Sequence, residues 1–78
     1  MATMREELEK VIIDTRAACY ETEGVEGRIF VIAPSPNVDF GWAYRRVARF
    51  TTGWEHAYVT GVNIGGNITL FIGEEARL

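Results

Sequence analysis

Residues 18–33 read ACYETEGVEGRIFVIA, and the division of this stretch among helix, loop and strand decides the fold. Its right-hand part, RIFVIA at 28–33, is β-branched and aromatic with little alternation of polar and apolar residues. That is the pattern of a strand covered on both faces or lying in the middle of a sheet, and six residues are too few for a helix. Pro34 and Pro36 end it, because proline brings no amide to a ladder. The centre, ETEGVEG at 21–27, has glycines at 24 and 27 among its acids, and reads as a helix end followed by a loop. The left end, through Tyr20, reads as the last turn of that helix.

The helix begins near the N-terminus. Thr3 and Glu6 have the capping-box spacing, in which each side chain satisfies one orphan amide of the first turn. Met4, Leu8, Val11, Thr15, Ala18 and Cys19 then fall on one stripe, with Ile12 at its edge, while Glu6, Glu9, Lys10 and Arg16 lie elsewhere. The spacing predicts a helix to about Tyr20. On its opposite side Ile13, Ala17 and Tyr20 line up at intervals of four and three, a second apolar face that calls for cover. These three residues are the candidate oligomer interface, and a two-fold dimer is the commonest way to cover such a face.

Beyond Pro36 a second helix is expected over about 38–51, capped by Ser35 or Asn37 and closed by Gly53 and Trp54. The remainder reads as a hairpin, EHAYVTGV and NITLFI around Ile64, Gly65 and Gly66, with Val62 opposite Ile68, Thr60 opposite Leu70 and Tyr58 opposite Ile72. The expected order is α-β-α-β-β, a two-layer α+β unit with two helices on a three-stranded mixed sheet. A right-handed crossover through the second helix makes the first two strands run in the same direction, either as neighbours or flanking the third.

Seventy-eight residues allow a single domain, 1–78, of modest stability. The 47% hydrophobic content is too high for intrinsic disorder. No apolar run reaches the roughly 18 residues of a membrane span, and the charged start MATMREELEK is unlike a secretory signal, so a cytoplasmic place is expected. One cysteine and one histidine make neither an internal disulfide nor a conventional zinc site. Read from Met1 without a linker, the chain is expected to be complete and free-standing. Its net charge of −3 is unevenly spread: residues 1–27 carry −4, residues 28–54 carry +3, and residues 55–78 carry −2. A general nucleic-acid binder would be basic throughout; here only the middle segment is.

That segment contains FGWAYRRVARF, residues 40–50. Wound at about 100° per residue, Phe40, Ala43, Tyr44, Val47 and Phe50 gather on a core side. Arg45, Arg46 and Arg49 lie opposite, and Trp42 falls among them. An indole on a wet face leaves about 1.5–3 kcal/mol of burial unused. Three readings compete. Trp42 can fold against the loop at 34–37 or under the stems of Arg45 and Arg46. With Arg45, Arg46 and Arg49 it can form a contact surface for an acidic protein, since tryptophan and arginine dominate interface hot spots. Or it can stack on a base while the arginines neutralise phosphate.

Chemistry is sparse. Cys19 falls on the core stripe, where cysteine is a small apolar filler, and His56 reads as a surface or capping residue. Glu6, Glu7 and Glu9, like Glu74 and Glu75, read as solvated acids. GVNIGGN lacks the lysine, the hydroxyl and the following helix of a phosphate loop. No catalytic residue, metal or cofactor is expected. Small proteins without a catalytic constellation act most often by occupying a surface on something larger, as regulators, inhibitors, adaptors or phage counter-defence proteins do. A non-enzymatic protein-binding module, dimeric and contacting its partner through Trp42, Arg45, Arg46 and Arg49, is therefore the expected function, with nucleic-acid or nucleotide-phosphate binding by the same face as the alternative.

Overall fold

The first helix starts where its capping box places it and stops well short of Tyr20. The structure, a computed structural model that describes residues 2–73, gives α1 as Met4–Thr15, with the Thr3 hydroxyl accepting from the Glu6 amide and the Glu6 carboxylate accepting from the Thr3 amide. Met4, Leu8, Val11 and Thr15 are buried, as the stripe requires. The polar member, Thr15, donates its hydroxyl to the Val11 carbonyl at 2.8 Å, so its burial leaves nothing unpaired. Arg16 then turns left-handed at φ 50. Its amide bonds the Ile13 carbonyl and the Ala17 amide bonds the Ile12 carbonyl, the paired bonds of a Schellman end, while Ile12 and Ala17 both pack on the core. Glycine normally marks such an end. Arginine gave no warning of it.

The chain released at Arg16 forms a strand the spacing did not predict. β1 (Ala18–Gly24) and β2 (Gly27–Ala33) make an antiparallel hairpin, turning over Val25 and Glu26 with Glu26 at φ 63. Glu21 faces Arg28 at 2.9 Å and Arg5 of α1 at 3.6 Å, so two acids of the supposed loop, Glu21 and Glu23, are charges on an edge strand, where charge discourages further pairing. The sheet therefore has four strands rather than three. Its order is β1-β2-β4-β3 with every neighbour antiparallel, so it is not mixed. With α2 between its two hairpins, the element order is α-β-β-α-β-β. β2 and β3 do run in the same direction, as the crossover demanded, and they flank β4.

α2 (Phe40–Thr52) is capped by neither Ser35 nor Asn37. Asp39 does it, its carboxylate accepting from the Trp42 amide at 2.8 Å, while Ser35 accepts from the Asn37 amide within the preceding turn. Gly53 ends the helix, its amide donating to the Phe50 carbonyl and the Trp54 amide to that of Thr51. Trp54 follows and packs against the core, its indole Nε1–H donating to Glu7 of α1 at 2.7 Å.

β3 (Ala57–Val62) and β4 (Ile68–Gly73) pair with Val62 opposite Ile68, as the pattern indicated. The loop is the three-residue form: the Gly66 amide bonds the Asn63 carbonyl, and Gly66 takes the left-handed φ of 82. An irregularity between Val59 and Gly61 then shifts the register, giving Val59–Leu70, Tyr58–Phe71 and Ala57–Ile72 in place of the expected Thr60–Leu70 and Tyr58–Ile72. The shift puts the smaller Ala57 and Val59 on the helix side and sends Tyr58 to the other. Phe30, Ile32, Ile68, Leu70 and Ile72 line the sheet's inner face, and Met4, Leu8, Val11, Val47 and Phe50 close over them from the helices. Among the described residues, no helix is long and apolar enough to cross a membrane.

Candidate partner-binding surface

The three buried residues of α2, Ala43, Val47 and Phe50, fix which side of this helix meets the sheet. Trp42, Arg45, Arg46 and Arg49, at spacings of three, four and seven, then share the side turned away from it. Trp42 is 43% exposed. Its ring is thus neither sunk into the core nor fully in water, and the Asp39 cap holds its backbone at the first turn.

The three arginines are not equivalent. Arg46 donates from Nε to Asp14 at 3.0 Å, a bond that ties α2 to α1 and partly occupies that guanidinium. Arg45 and Arg49 are exposed. Arg49 and Arg46 also line, with Glu7, Lys10, Phe50 and Gly53, a shallow groove of about 270 Å³ between the two helices. Phe40 and Tyr44, expected on the core side, sit at its margin: both are exposed, their ring centroids 6.4 Å apart, and Phe40 lies beside Gly66 of the β3–β4 loop. The first turn of α2 reaches past the core to the hairpin tip, so nothing deeper receives those rings.

The other expected surface comes apart. Because α1 ends at Thr15, Ile13, Ala17 and Tyr20 do not share a helix face. Ile13 stays on α1, 72% exposed, Ala17 packs against the core, and Tyr20 stands on β1 with 66% exposure. Tyr20 belongs to a surface that the residue pattern did not single out, the sheet face away from the helices. There the register aligns Tyr20, Val31, Thr69 and Gly61 in one row and Thr22, Ile29, Phe71 and Tyr58 in the next. Among the described residues, nothing covers this face. The one hint of it in the sequence was the missing alternation of RIFVIA, which suggested a strand buried on both sides; Phe30 and Ile32 are buried under the helices, while Ile29 and Val31 on the outer face are only half-buried.

Cys19 points to the helix side of β1 and is half-buried. Its thiol is pushed up from the ordinary value, chiefly by desolvation and secondarily by Glu21, with Arg5 opposing. A raised pKa makes a poor nucleophile at neutral pH. His56 precedes β3 at the opposite edge, three strand spacings or about 14 Å across the sheet, and at the other end of the strands from the Cys19–Ile32–Ile68–Val62 row, so the two form no dyad. Among the described residues no three His, Cys, Asp or Glu side chains are grouped as a metal would need. Glu74 and Glu75 lie outside the described residues. Comparison with known proteins gives no relative: no family model, no curated protein and no solved structure matches the chain.

Proposed function

We propose that this chain is a non-enzymatic protein-binding module that docks on an acidic surface of a protein partner through Trp42, Arg45, Arg46 and Arg49. One observation carries the reading: an indole 43% exposed on the same helix side as two exposed guanidiniums. The ring has burial still to gain, and the guanidiniums offer planar, paired donors to carboxylates. Arg46, anchored by Asp14, orders the middle of the surface before a partner arrives, which lowers the entropy cost of docking. A nucleic acid is the less favoured partner, because of the three arginines of this surface only Arg45 and Arg49 are open to phosphate, Glu7 stands beside Lys10 in the adjoining groove, and the chain as a whole is at −3.

The test is affinity capture with crosslinking in the native host, followed by titration of the purified partner. Trp42→Ala is expected to weaken binding about 30-fold or more, the loss of a hot-spot side chain. Arg45→Glu with Arg49→Glu should slow association. A partner bound equally well by all three proteins would overturn the reading, and binding of an oligonucleotide with a steep salt dependence would replace it with the alternative.

A further inference from the structure

Every strand of the sheet contributes to its outer face, and none of the paired positions there is charged. In a chain with 24% charged residues, this is a marked exclusion. The acids of β1 obey it too: Glu21 and Glu23 pair with Phe30 and Arg28 and so stand on the helix side. Tyr20 and Tyr58 remain 66% and 53% exposed on this face.

We propose that two copies of the chain meet here, sheet on sheet, as a homodimer. Charge selects the occupant. Each copy carries −3, so copies meet most easily where the paired positions carry no charge; such an apolar face is complementary to itself without charge matching, and the exposed acids Glu26 and Glu55, beside Tyr58 and Phe71, stand at its rim. Phosphate-bearing partners are disfavoured: three aromatic rings could stack on bases, but among the described residues no lysine or arginine occupies a paired position on this face, and Glu26 and Glu55 stand beside Tyr58 and Phe71.

Shape agrees. A Cβ on Gly27 would lie 2.6 Å from the Phe71 ring tip, and one on Gly24 would lie 3.0 Å from the end of Ile29. The two glycines thus leave room for Phe71 and Ile29 to lean over neighbouring strands, and Phe71 continues into Tyr58 at a centroid separation of 5.4 Å with the rings tilted by 43°. A continuous apolar layer of this kind is what face-to-face sheets interdigitate when they pack about 10 Å apart. Four strands of about six residues give a footprint of about 20 by 20 Å. That is about 400 Å² per copy and about 800 Å² for two before side-chain relief is counted, the size of a weak, concentration-dependent dimer.

Light scattering and sedimentation across about 1 µM to 1 mM test this, and the wild type is expected at twice the 8.8 kDa chain mass at the upper concentrations. Tyr20→Lys and Tyr58→Lys, both at exposed positions, should raise the dimer dissociation constant about 100-fold or more by placing an unpaired ammonium in a dry interface. Ile13→Lys and Trp42→Ala should leave it unchanged. Isotope-filtered NOEs on mixed labelled and unlabelled wild type should connect the Tyr20 and Phe71 rings to the other copy. These decide the matter even if a lysine variant fails to fold. A wild type that stays at the chain mass to 1 mM overturns the proposal. So does a dimer that tolerates both lysines or gives way to Ile13→Lys, or one whose intermolecular NOEs arise elsewhere.

Discussion

Replacing Arg16 by glycine changes the stability with a sign that depends on where α1 ends. Arg16 sits at φ 50, its amide bound into the helix terminus, and its side chain is exposed. A left-handed conformation costs an L-residue with a Cβ roughly 1–2 kcal/mol. Glycine escapes that cost, yet brings about 0.4–1 kcal/mol of extra unfolded-state entropy. The difference predicts that Arg16→Gly stabilises the fold by about 0.5–1 kcal/mol, or about 3–6 °C in Tm for a domain of this size. Arg16→Ala is the control, since it removes the same side chain and keeps the strain. Thermal unfolding by circular dichroism, backed by urea titration, measures both. Had the helix continued to Tyr20, position 16 would lie mid-helix and glycine would cost about 1 kcal/mol relative to alanine. A Tm for Arg16→Gly below that of Arg16→Ala therefore refutes the left-handed stop, and with it the strand that begins at Ala18.

Three further outcomes follow from the packing. Glu6 is held below the ordinary carboxylate value of 4.5, mainly by the Thr3 backbone amide and then by the Thr3 hydroxyl. Its contribution to stability is therefore complete above about pH 4.5 and is lost as pH falls through the lowered native value; Glu6→Gln should flatten that acid limb in a series of urea titrations, and Thr3→Ala, which keeps the backbone amide, should reduce it only in part. Trp54→Phe, which removes the donation to Glu7, should cost about 1–2 kcal/mol by urea unfolding, and an unchanged midpoint would mean that the bond contributes nothing. The Cys19 thiol, half-buried and with a raised pKa, should react with a disulfide reagent at pH 7.5 at least tenfold more slowly in the native protein than in urea; equal rates would show that β1 is not seated.

Much of the α2 surface was legible in the sequence because helical periodicity is a local property. Ala43, Val47 and Phe50 face inward and Trp42, Arg45 and Arg49 outward, as the winding implies. The Arg46 bond to Asp14 was not legible, since it joins residues on different helices. Phe40 and Tyr44 misled for the complementary reason: their apolarity and phase agree with a core position, but the core ends before it reaches them. The outer face was hidden because Ile29 and Val31 read the same as Phe30 and Ile32, and pattern alone cannot say which side the helices take.

Local pattern sufficed for the start of α1 at Thr3 and Glu6, the strand at 28–33, the existence of α2, and the Ile64–Gly66 loop with its first pair, Val62 and Ile68. Each of these depends on residues within a few positions of one another. Tertiary structure decided the end of α1, the strand β1, the shifted register beyond Thr60 and the direction in which the sheet presents its uncovered face. At Arg16 local preference opposes the outcome by roughly 1–2 kcal/mol. The hairpin ladder from Ala18 to Gly24 against Gly27 to Ala33 outweighs it, and those pairings exist only once both strands have come together.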